Sequence, residues 1–190
     1  MPAKLREPDD TVAVASTRTL EEAVFERYAS AGRTITCAES CTGGALGYAL
    51  TNPPGASEVF LGGVVSYSYG MKVALLGVRR ETLERFGAVS PECAREMVTG
   101  CRERLGGGTQ IAITGIAGPG GGRAEKPVGL VYIAECNDGR VELFEFRFSG
   151  NRRVVRAKSV EAALLLLLRP GQLSLSELLE RIEGRLLTAL

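Results

Sequence analysis

The chain is organised around the stretch Thr34-Ile35-Thr36-Cys37-Ala38-Glu39-Ser40-Cys41-Thr42-Gly43-Gly44. Its first half is rich in β-branched and apolar residues, which predicts a strand over 34–39, and an apolar segment with helical character follows without a spacer. A hydroxyl at such a sharp strand-to-helix turn lies beside unpaired backbone N–H groups, which can hold an anion or a developing oxyanion. The sequence therefore predicts an active-site elbow at Ser40.

Other roles for the residues of this turn stay open. Serine is a common helix N-cap, but Thr42 could cap the following helix equally well, so Ser40 is not needed for that purpose alone. The pair Gly43-Gly44 lets a ligand approach the backbone closely. Cys41 is a rival nucleophile, although a small thiol of this kind more often faces a core.

The absence of histidine limits the chemistry that the chain can perform. None occurs among 190 residues, which excludes Ser-His-Asp hydrolysis, Cys-His proteolysis and histidine-ligated zinc. A general base must then be Lys, Tyr, Asp, Glu or a thiolate, and the natural partner for a serine is a lysine made neutral by burial. No group of carboxylates resembles a metal site, and we expect neither a metal nor an organic cofactor.

Charge and cysteine content bear on partners and location. The 23 basic and 22 acidic residues nearly cancel, which argues against a nucleic-acid partner. Five cysteines without a Cys-x-x-Cys pair or a secretory signal favour reduced thiols and a cytoplasmic location. The longest apolar stretch, 160–168, is far short of the roughly 20 residues that a membrane-spanning helix needs.

Hydrophobic periodicity predicts an α/β fold in one domain over 19–169, with a flexible tail over 1–18 and an amphipathic helix over 170–190. The expected strands are 34–39, 59–69, 110–114, 129–136 and 141–148. The expected helices are 19–32, 42–52, 71–76, 79–86, 90–105, 151–169 and 174–190. Alternation with helices makes the first three strands parallel, and the turn Asn137-Asp138-Gly139-Arg140 makes the last two an antiparallel hairpin. The run 164–168 is either simply buried or part of a subunit interface, and we expect a homo-oligomer.

Ligands of open α/β sheets lie beyond the carboxyl ends of the parallel strands, where Ser40, Tyr67 and Thr114-Gly115 should meet. Lys72 follows the second strand and is the one plausible strong base near this edge, although a surface position is the default for a lone lysine. Desolvation would lower its pKa and let it take a proton from Ser40. Tyr67 would relay that proton or donate to the substrate.

Two further features suggest an anion site. The glycine-rich loop over 115–128 carries Gly118 and ends near Lys126, and it is neither a P-loop nor a Rossmann fingerprint. It is either a flexible connector or a cradle for an anion or a ribose. Arg152 and Arg156 share one face of a predicted helix, where they would grip a phosphate or form a solvated basic surface.

The order of these motifs resembles the CinA C-terminal domain family. The matching stretches are Glu39-Ser40-Cys41-Thr42-Gly43-Gly44, Tyr67-Ser68 with Lys72, Leu76-Gly77-Val78, Gly87-Ala88-Val89-Ser90, Thr114-Gly115-Ile116-Ala117-Gly118-Pro119, Lys126-Pro127-Val128-Gly129 and Gly150 with Arg152 and Arg156. The resemblance implies a three-layer α/β/α domain around a five-stranded mixed sheet, in its stand-alone form. It also implies a nicotinamide-nucleotide amidase, which hydrolyses nicotinamide mononucleotide to nicotinate mononucleotide and ammonia. Two positions depart from the family pattern: Tyr69 stands where Asn is usual, and Asn151 stands where Asp is usual.

The resemblance assigns the serine of the first motif, Ser40, as nucleophile, with Tyr67 and Lys72 assisting. The remaining motif residues are expected around the oxyanion and the substrate: Glu39, Cys41, Thr42, Gly43, Gly44, Thr114, Gly115, Gly118, Lys126, Arg152 and Arg156. Backbone N–H groups around 42–44 would stabilise the oxyanion, and the glycine-rich loop with Arg152 would hold the ribose phosphate. Two alternatives remain: a non-catalytic module that senses a nucleotide in competence or DNA-damage responses, and a serine-lysine amidase for another carboxamide.

Overall fold

A single mixed sheet forms the middle layer of the protein. The computed structural model describes residues 19–169 and 184–187. The strands within those ranges are β1 (Ile35–Glu39), β2 (Phe60–Val65), β3 (Thr109–Gly115), β4 (Leu130–Asn137), β5 (Arg140–Arg147) and β6 (Gly184–Leu187). Their order across the sheet is β2-β1-β3-β4-β5-β6. β1 pairs in parallel with β2 and β3, and the remaining neighbours are antiparallel. The predicted parallel strands and hairpin are confirmed.

Helices cover both faces of this sheet. They are α1 (Leu20–Ser30), α2 (Ala45–Leu50), α3 (Tyr69–Leu76), α4 (Arg80–Phe86), α5 (Pro91–Leu105) and α6 (Arg152–Leu167). Buried side chains of α1, α2 and α6 form one core with one face of the sheet, and those of α3, α4 and α5 form a second core with the other face. The three-layer α/β/α arrangement is therefore confirmed.

Local signals set where several helices begin. Thr19 and Glu22 form a capping box at the start of α1, where the sequence predicts a helix over 19–32. Ser90 accepts a hydrogen bond from the Cys93 N–H at the start of α5, and Asn151 caps α6 through its side chain. These interactions satisfy N–H groups that a helix leaves unpaired in its first turn, so the predicted starts of these helices are confirmed.

The central strand carries the site and is buried throughout. Both faces of β1 are covered by helices, and all five of its residues are buried, as expected for the middle of a parallel sheet. The Leu164, Leu166 and Leu167 side chains pack in the core formed with α1 and α2. Of the two roles predicted for the apolar run, these three leucines therefore have the first, which is burial in the core of the domain.

The packing of α3 on α5 fixes the helix that carries Lys72. A Cβ atom at Gly100 would lie 1.7 Å from the Leu76 carbonyl oxygen, so only glycine allows the two helices to approach this closely. The α3 helix ends at Gly77, which has the left-handed backbone that suits a helix C-cap. Its position relative to the sheet is thus set by backbone contact as well as by side chains.

The C-terminal prediction needs correction. Residues 184–187 form β6, paired with β5 so that Phe144 lies opposite Leu186, whereas the sequence pattern predicted a helix there. Short apolar runs do not distinguish helix from strand, and pairing with β6 satisfies backbone groups along the otherwise open edge of β5. The sheet therefore has six strands in the described residues rather than five. The rest of the predicted helix and the predicted tail over 1–18 lie outside the described residues.

Two boundaries near the site also differ from expectation. The α2 helix begins at Ala45 rather than at Thr42, because 41–44 form a turn in which Gly43 and Gly44 have positive φ angles. β2 ends at Val65 rather than at Tyr69, which already belongs to α3. Across the ranges that the structure describes, no helix is long and apolar enough to span a bilayer.

Candidate active site

The structure brings Ser40 and Lys72 into contact, as the sequence predicts. Ser40 follows β1 directly, and its N–H donates to the Ile113 carbonyl at 3.0 Å, which holds it at the carboxyl edge of the sheet. Lys72 is fully buried on α3, and its Nζ lies 2.8 Å from the Ser40 Oγ. Ser40 as a whole is buried, with 8% of its surface exposed. These two side chains form a serine-lysine pair.

The surroundings of Lys72 favour its neutral form. Burial lowers the pKa of its ammonium below the usual 10.5, while Cys93 and Cys41 act in the opposite sense. Among the described residues, no carboxylate forms an ion pair with Lys72. Its Nζ also donates to the Ser66 carbonyl at 2.5 Å. A neutral amine in this position can give one hydrogen to that carbonyl and keep its lone pair for the hydroxyl of Ser40. The pair thus has the geometry of a nucleophile with its general base.

Glu39 holds the turn that carries Ser40. Its carboxylate is 1% exposed and accepts hydrogen bonds from the N–H groups of Gly44, Leu46 and Gly47 at 3.0, 3.1 and 2.8 Å. A negative charge is favourable there because the first N–H groups of a helix are unpaired and carry partial positive charge. Glu39 therefore positions the elbow and α2 through three hydrogen bonds to the backbone.

The available oxyanion donors differ from those expected. The N–H of Gly43 donates to the Ser40 carbonyl, and the N–H of Gly44 donates to Glu39, so both groups are already engaged. In the described part of the chain, the N–H groups of Cys41 and Thr42 have no oxygen acceptor. The hydroxyl of Thr42 is likewise buried without a hydrogen-bond partner among these residues. The candidate oxyanion donors are therefore those of Cys41 and Thr42.

Arg156 reaches the same turn from α6. Its Nη2 donates to the Thr42 carbonyl at 2.6 Å, and its Nε is buried with no partner in the described ranges. A Cβ at Gly43 would lie 3.5 Å from this guanidinium, in ordinary van der Waals contact. Arg156 thus supports the turn and places a positive charge beside it.

Tyr67 and Arg152 lie at the outer side of the site. Tyr67 is 59% exposed, and its hydroxyl accepts a hydrogen bond from Arg152 Nη2 at 3.0 Å. Arg152 Nη1 donates to the Gly118 carbonyl at 3.0 Å, so this guanidinium joins the glycine-rich loop to Tyr67. Within the described residues, the Tyr67 hydroxyl has no hydrogen bond to Ser40 or Lys72, so the predicted relay is not assembled in this state of the protein.

The predicted residues of β3 and the glycine-rich loop build a wall of the site. The Thr114 hydroxyl donates to the Ala88 carbonyl at 2.7 Å. Lys126 Nζ donates to the carbonyl oxygens of Phe86 and Val89 at 2.5 and 2.6 Å. Gly115 allows close pairing of β3 with β4, since a Cβ there would lie 2.6 Å from a Val131 methyl. Together these residues fix the segment 86–89 against the loop.

Cys41 is poorly suited to act as a nucleophile. Its side chain is 6% exposed, and burial raises the pKa of its thiol to about 12. The reactive form of cysteine is the thiolate, which is scarce near neutral pH at such a pKa. Ser40 therefore remains the nucleophile that the geometry favours.

Comparison with known proteins gives the family. The sequence profile of the CinA C-terminal domain matches residues 17–170, which is most of the chain. The chain belongs to the CinA C-terminal domain family. A CinA-like protein of Syntrophomonas wolfei is 48% identical over 151 residues, which are 80% of this chain and 36% of that protein. A CinA-like protein of Gloeothece citriformis is 51% identical over 136 residues, which are 71% and 32% of the two chains. The chain spans about a third of the length of these curated relatives.

Solved structures of the CinA family have the same fold. The competence/damage inducible protein CihA from Agrobacterium tumefaciens is 42% identical, with a TM-score of 0.76 over 78% of this chain and 93% of that one. A CinA superfamily protein from Enterobacter cloacae is 34% identical, with a TM-score of 0.75 over 88% and 97% of the two chains. Their names refer to competence and damage and do not state a reaction.

Sequence reasoning missed two groups at this CinA-family site. One is the Ser66 carbonyl, which accepts from Lys72; a main-chain acceptor leaves no signal in residue type. The other is the Tyr69 hydroxyl, which accepts from the Ala88 N–H at 3.2 Å. Tyr69 was recognised only as a departure from the family pattern, and the structure shows it bound to the wall segment 86–89.

Proposed function

We propose that the chain is an amidohydrolase that converts nicotinamide mononucleotide and water to nicotinate mononucleotide and ammonia. The observation that carries this proposal is the buried Lys72 amine, which lies 2.8 Å from the Ser40 hydroxyl. A buried amine that has no carboxylate partner among the described residues and lies next to a serine at a strand-to-helix turn is suited to acyl transfer. The choice of substrate rests on the resemblance of the motifs to the family.

In the first half of the reaction, Ser40 Oγ attacks the carboxamide carbon while its proton passes to the lone pair of Lys72. The carbonyl oxygen takes up negative charge and is stabilised by the N–H groups of Cys41 and Thr42, which have no oxygen acceptor among the described residues. Collapse of the tetrahedral intermediate breaks the C–N bond. The proton held by Lys72 passes to the leaving nitrogen, which departs as ammonia and leaves an ester on Ser40.

The second half restores the enzyme. Water attacks the ester carbon and gives its proton to Lys72, and the C–O bond to Ser40 then breaks. The proton on Lys72 returns to the serine oxygen, and nicotinate mononucleotide is released. Ser66 keeps the amine in place throughout, because its carbonyl accepts one hydrogen whether Lys72 is neutral or charged.

A non-catalytic nucleotide sensor is the second candidate, favoured by relatives whose names refer to competence and damage rather than to a reaction. The test is to incubate the purified chain with nicotinamide mononucleotide, to measure ammonia by a coupled assay and to identify the pyridine product. An amidase releases ammonia and nicotinate mononucleotide in equal amounts. A sensor gives a rise in Tm with the nucleotide and no ammonia, which would refute the proposal.

A panel of carboxamides tests the choice of substrate separately. Nicotinamide, nicotinamide riboside and nicotinamide mononucleotide differ only in the sugar and the phosphate. The proposal predicts the highest kcat/KM for the mononucleotide. A higher kcat/KM for an unrelated amide would agree with the serine-lysine mechanism but would refute nicotinamide mononucleotide as the substrate.

A further inference from the structure

A cleft of about 410 Å³ lies between the glycine-rich loop and the segment 86–89. Tyr69 and Ile116 line it together with the backbone of that segment, and Arg123 and Lys126 line it from the loop. Arg123 is exposed, and neither the motifs nor the chemistry described above gives it a role. The cleft combines two cations with main-chain groups and one aromatic ring.

The cleft is within reach of the reacting groups. Tyr69 precedes Lys72 by three residues on α3, a spacing that brings their Cβ atoms to about 5–6 Å. Ile116 lies three residues beyond Ile113, whose carbonyl accepts the Ser40 N–H, and three residues of extended chain span about 10 Å. A ligand whose carboxamide lies at Ser40 can therefore extend a ribose and a phosphate into the cleft.

The two cations of the cleft are held opposite each other. Arg123 and Lys126 form an antiparallel bridge, with backbone hydrogen bonds of 2.9 and 3.0 Å in the two directions. Residues directly opposite in such a bridge point their side chains to the same face, and like charges in this position repel. After burial, the Arg123 charge is the largest influence that lowers the pKa of Lys126, while Glu92 and Cys93 act in the opposite sense. An anion between the two cations would relieve this repulsion.

Among the described residues, the Arg123 guanidinium is unengaged, whereas those of Arg152 and Arg156 each bind protein groups, although the buried Nε of Arg156 keeps an unused N–H. Arg152 binds Tyr67 and Gly118, and Arg156 binds the Thr42 carbonyl. In the part of the chain that the structure describes, the Arg123 guanidinium has no hydrogen bond or ion pair. Lys126 donates to two carbonyl groups and so retains one N–H of its ammonium.

We propose that this cleft binds the phosphate of the mononucleotide, with Arg123 as its principal donor and the remaining N–H of Lys126 as the second. Arg123 would then determine specificity for phosphorylated over unphosphorylated nucleosides. This inference rests on the proposed function for the identity of the substrate. It keeps the phosphate at the glycine-rich loop, where the sequence predicts it together with Arg152, but it makes Arg123 the donor and leaves Arg152 to join the loop to Tyr67.

The test compares Arg123→Ala with the wild type on two substrates, nicotinamide mononucleotide and nicotinamide riboside, which lacks the phosphate. Loss of a charge-assisted contact predicts a KM for the mononucleotide that is higher by about tenfold to a hundredfold, with kcat unchanged. The KM for the riboside stays the same. The matched control is Arg140→Ala, at the opposite end of the sheet, where the side chain is 83% exposed; it leaves both substrates unaffected.

A binding measurement separates failure of this inference from failure of the proposed function. Ribose 5-phosphate carries the phosphate without the amide, and it should raise the Tm of the wild type and of Arg140→Ala but not that of Arg123→Ala. If the wild type releases no ammonia while this pattern holds, the phosphate site stands and the amidase does not. An equal rise in Tm for all three proteins, or an unchanged KM for the mononucleotide in Arg123→Ala, would overturn the site.

Discussion

Replacing Lys72 with methionine tests the general base in a way that separates chemistry from folding. Methionine is unbranched and of similar length, so Lys72→Met keeps most of the packing of this fully buried side chain while removing the amine. General-base catalysis contributes about 10²- to 10⁴-fold, so kcat should fall by at least about 10²-fold. The Ser66 carbonyl loses its donor at 2.5 Å, which costs about 1–3 kcal/mol at every pH.

The pH dependence of stability supplies a second, independent signature. The pKa of Lys72 has its usual value of 10.5 in the unfolded chain, and burial lowers it in the folded protein. At pH values between the folded and the unfolded pKa, the unfolded chain therefore binds more protons than the folded protein. Stability therefore rises with pH in this window, by up to about 1.4 kcal/mol per pH unit for one proton. The penalty of burying the charge is fully present below the folded pKa and is gone above the unfolded one. Methionine does not titrate, so the variant lacks this slope.

The assay is urea unfolding of both proteins from pH 7 to 11, with the difference in free energy of unfolding plotted against pH. Buried thiols with pKa values of about 12, those of Cys41 and Cys93, lower the stability of both proteins as pH rises. The charge of Lys72 lowers the pKa of both thiols, so its removal makes their loss of stability larger in the variant and acts in the same direction as the expected difference. The free energy of unfolding of the wild type, relative to that of Lys72→Met, should increase with pH through the alkaline range. A difference that stays flat with pH, or a variant with wild-type kcat, would refute the assignment.

Three further substitutions test the surroundings of the pair. Glu39→Gln places an amide NH₂ group against backbone donors and should lower the free energy of unfolding by about 1–3 kcal/mol in urea titrations, whereas no loss would show that the carboxylate does not hold the turn. Cys41→Ala should keep kcat within about tenfold, and thiol alkylation should not inactivate the wild type; inactivation would point to a thiolate nucleophile instead. Gly100→Ala drives a Cβ into the Leu76 carbonyl and should destabilise the fold by about 3 kcal/mol or more in the same titrations, so wild-type stability would show that α3 can shift freely.

The sequence was sufficient to locate the serine-lysine pair. Ser40 and Lys72 follow adjacent parallel strands, and strand order alone brings such positions to one edge. The lack of histidine then left lysine as the natural base. What residue types could not show was which groups are already engaged: the Gly44 N–H faces Glu39 rather than a substrate, because the carboxylate folds back onto the start of α2.

The fold was predictable where local and long-range signals agree. The cap residues Thr19 and Asn151 and the turn between β4 and β5 marked boundaries that hold in the structure. The region 184–187 was misassigned because its apolar spacing suits a helix, while its actual pairing with β5 depends on a partner far away in sequence. Long-range strand pairing is the kind of information that a local periodicity does not contain.

The most direct test of the central claim is the rate of ammonia release from nicotinamide mononucleotide by Ser40→Ala. This substitution removes only the hydroxyl group of Ser40. The Lys72 amine, the turn and the cleft are left in place. If Ser40 forms the acyl-enzyme, kcat falls by at least about 10³-fold while Tm stays near the wild-type value. Ammonia release within tenfold of the wild-type rate would contradict the account, because the amide would then be hydrolysed without the serine.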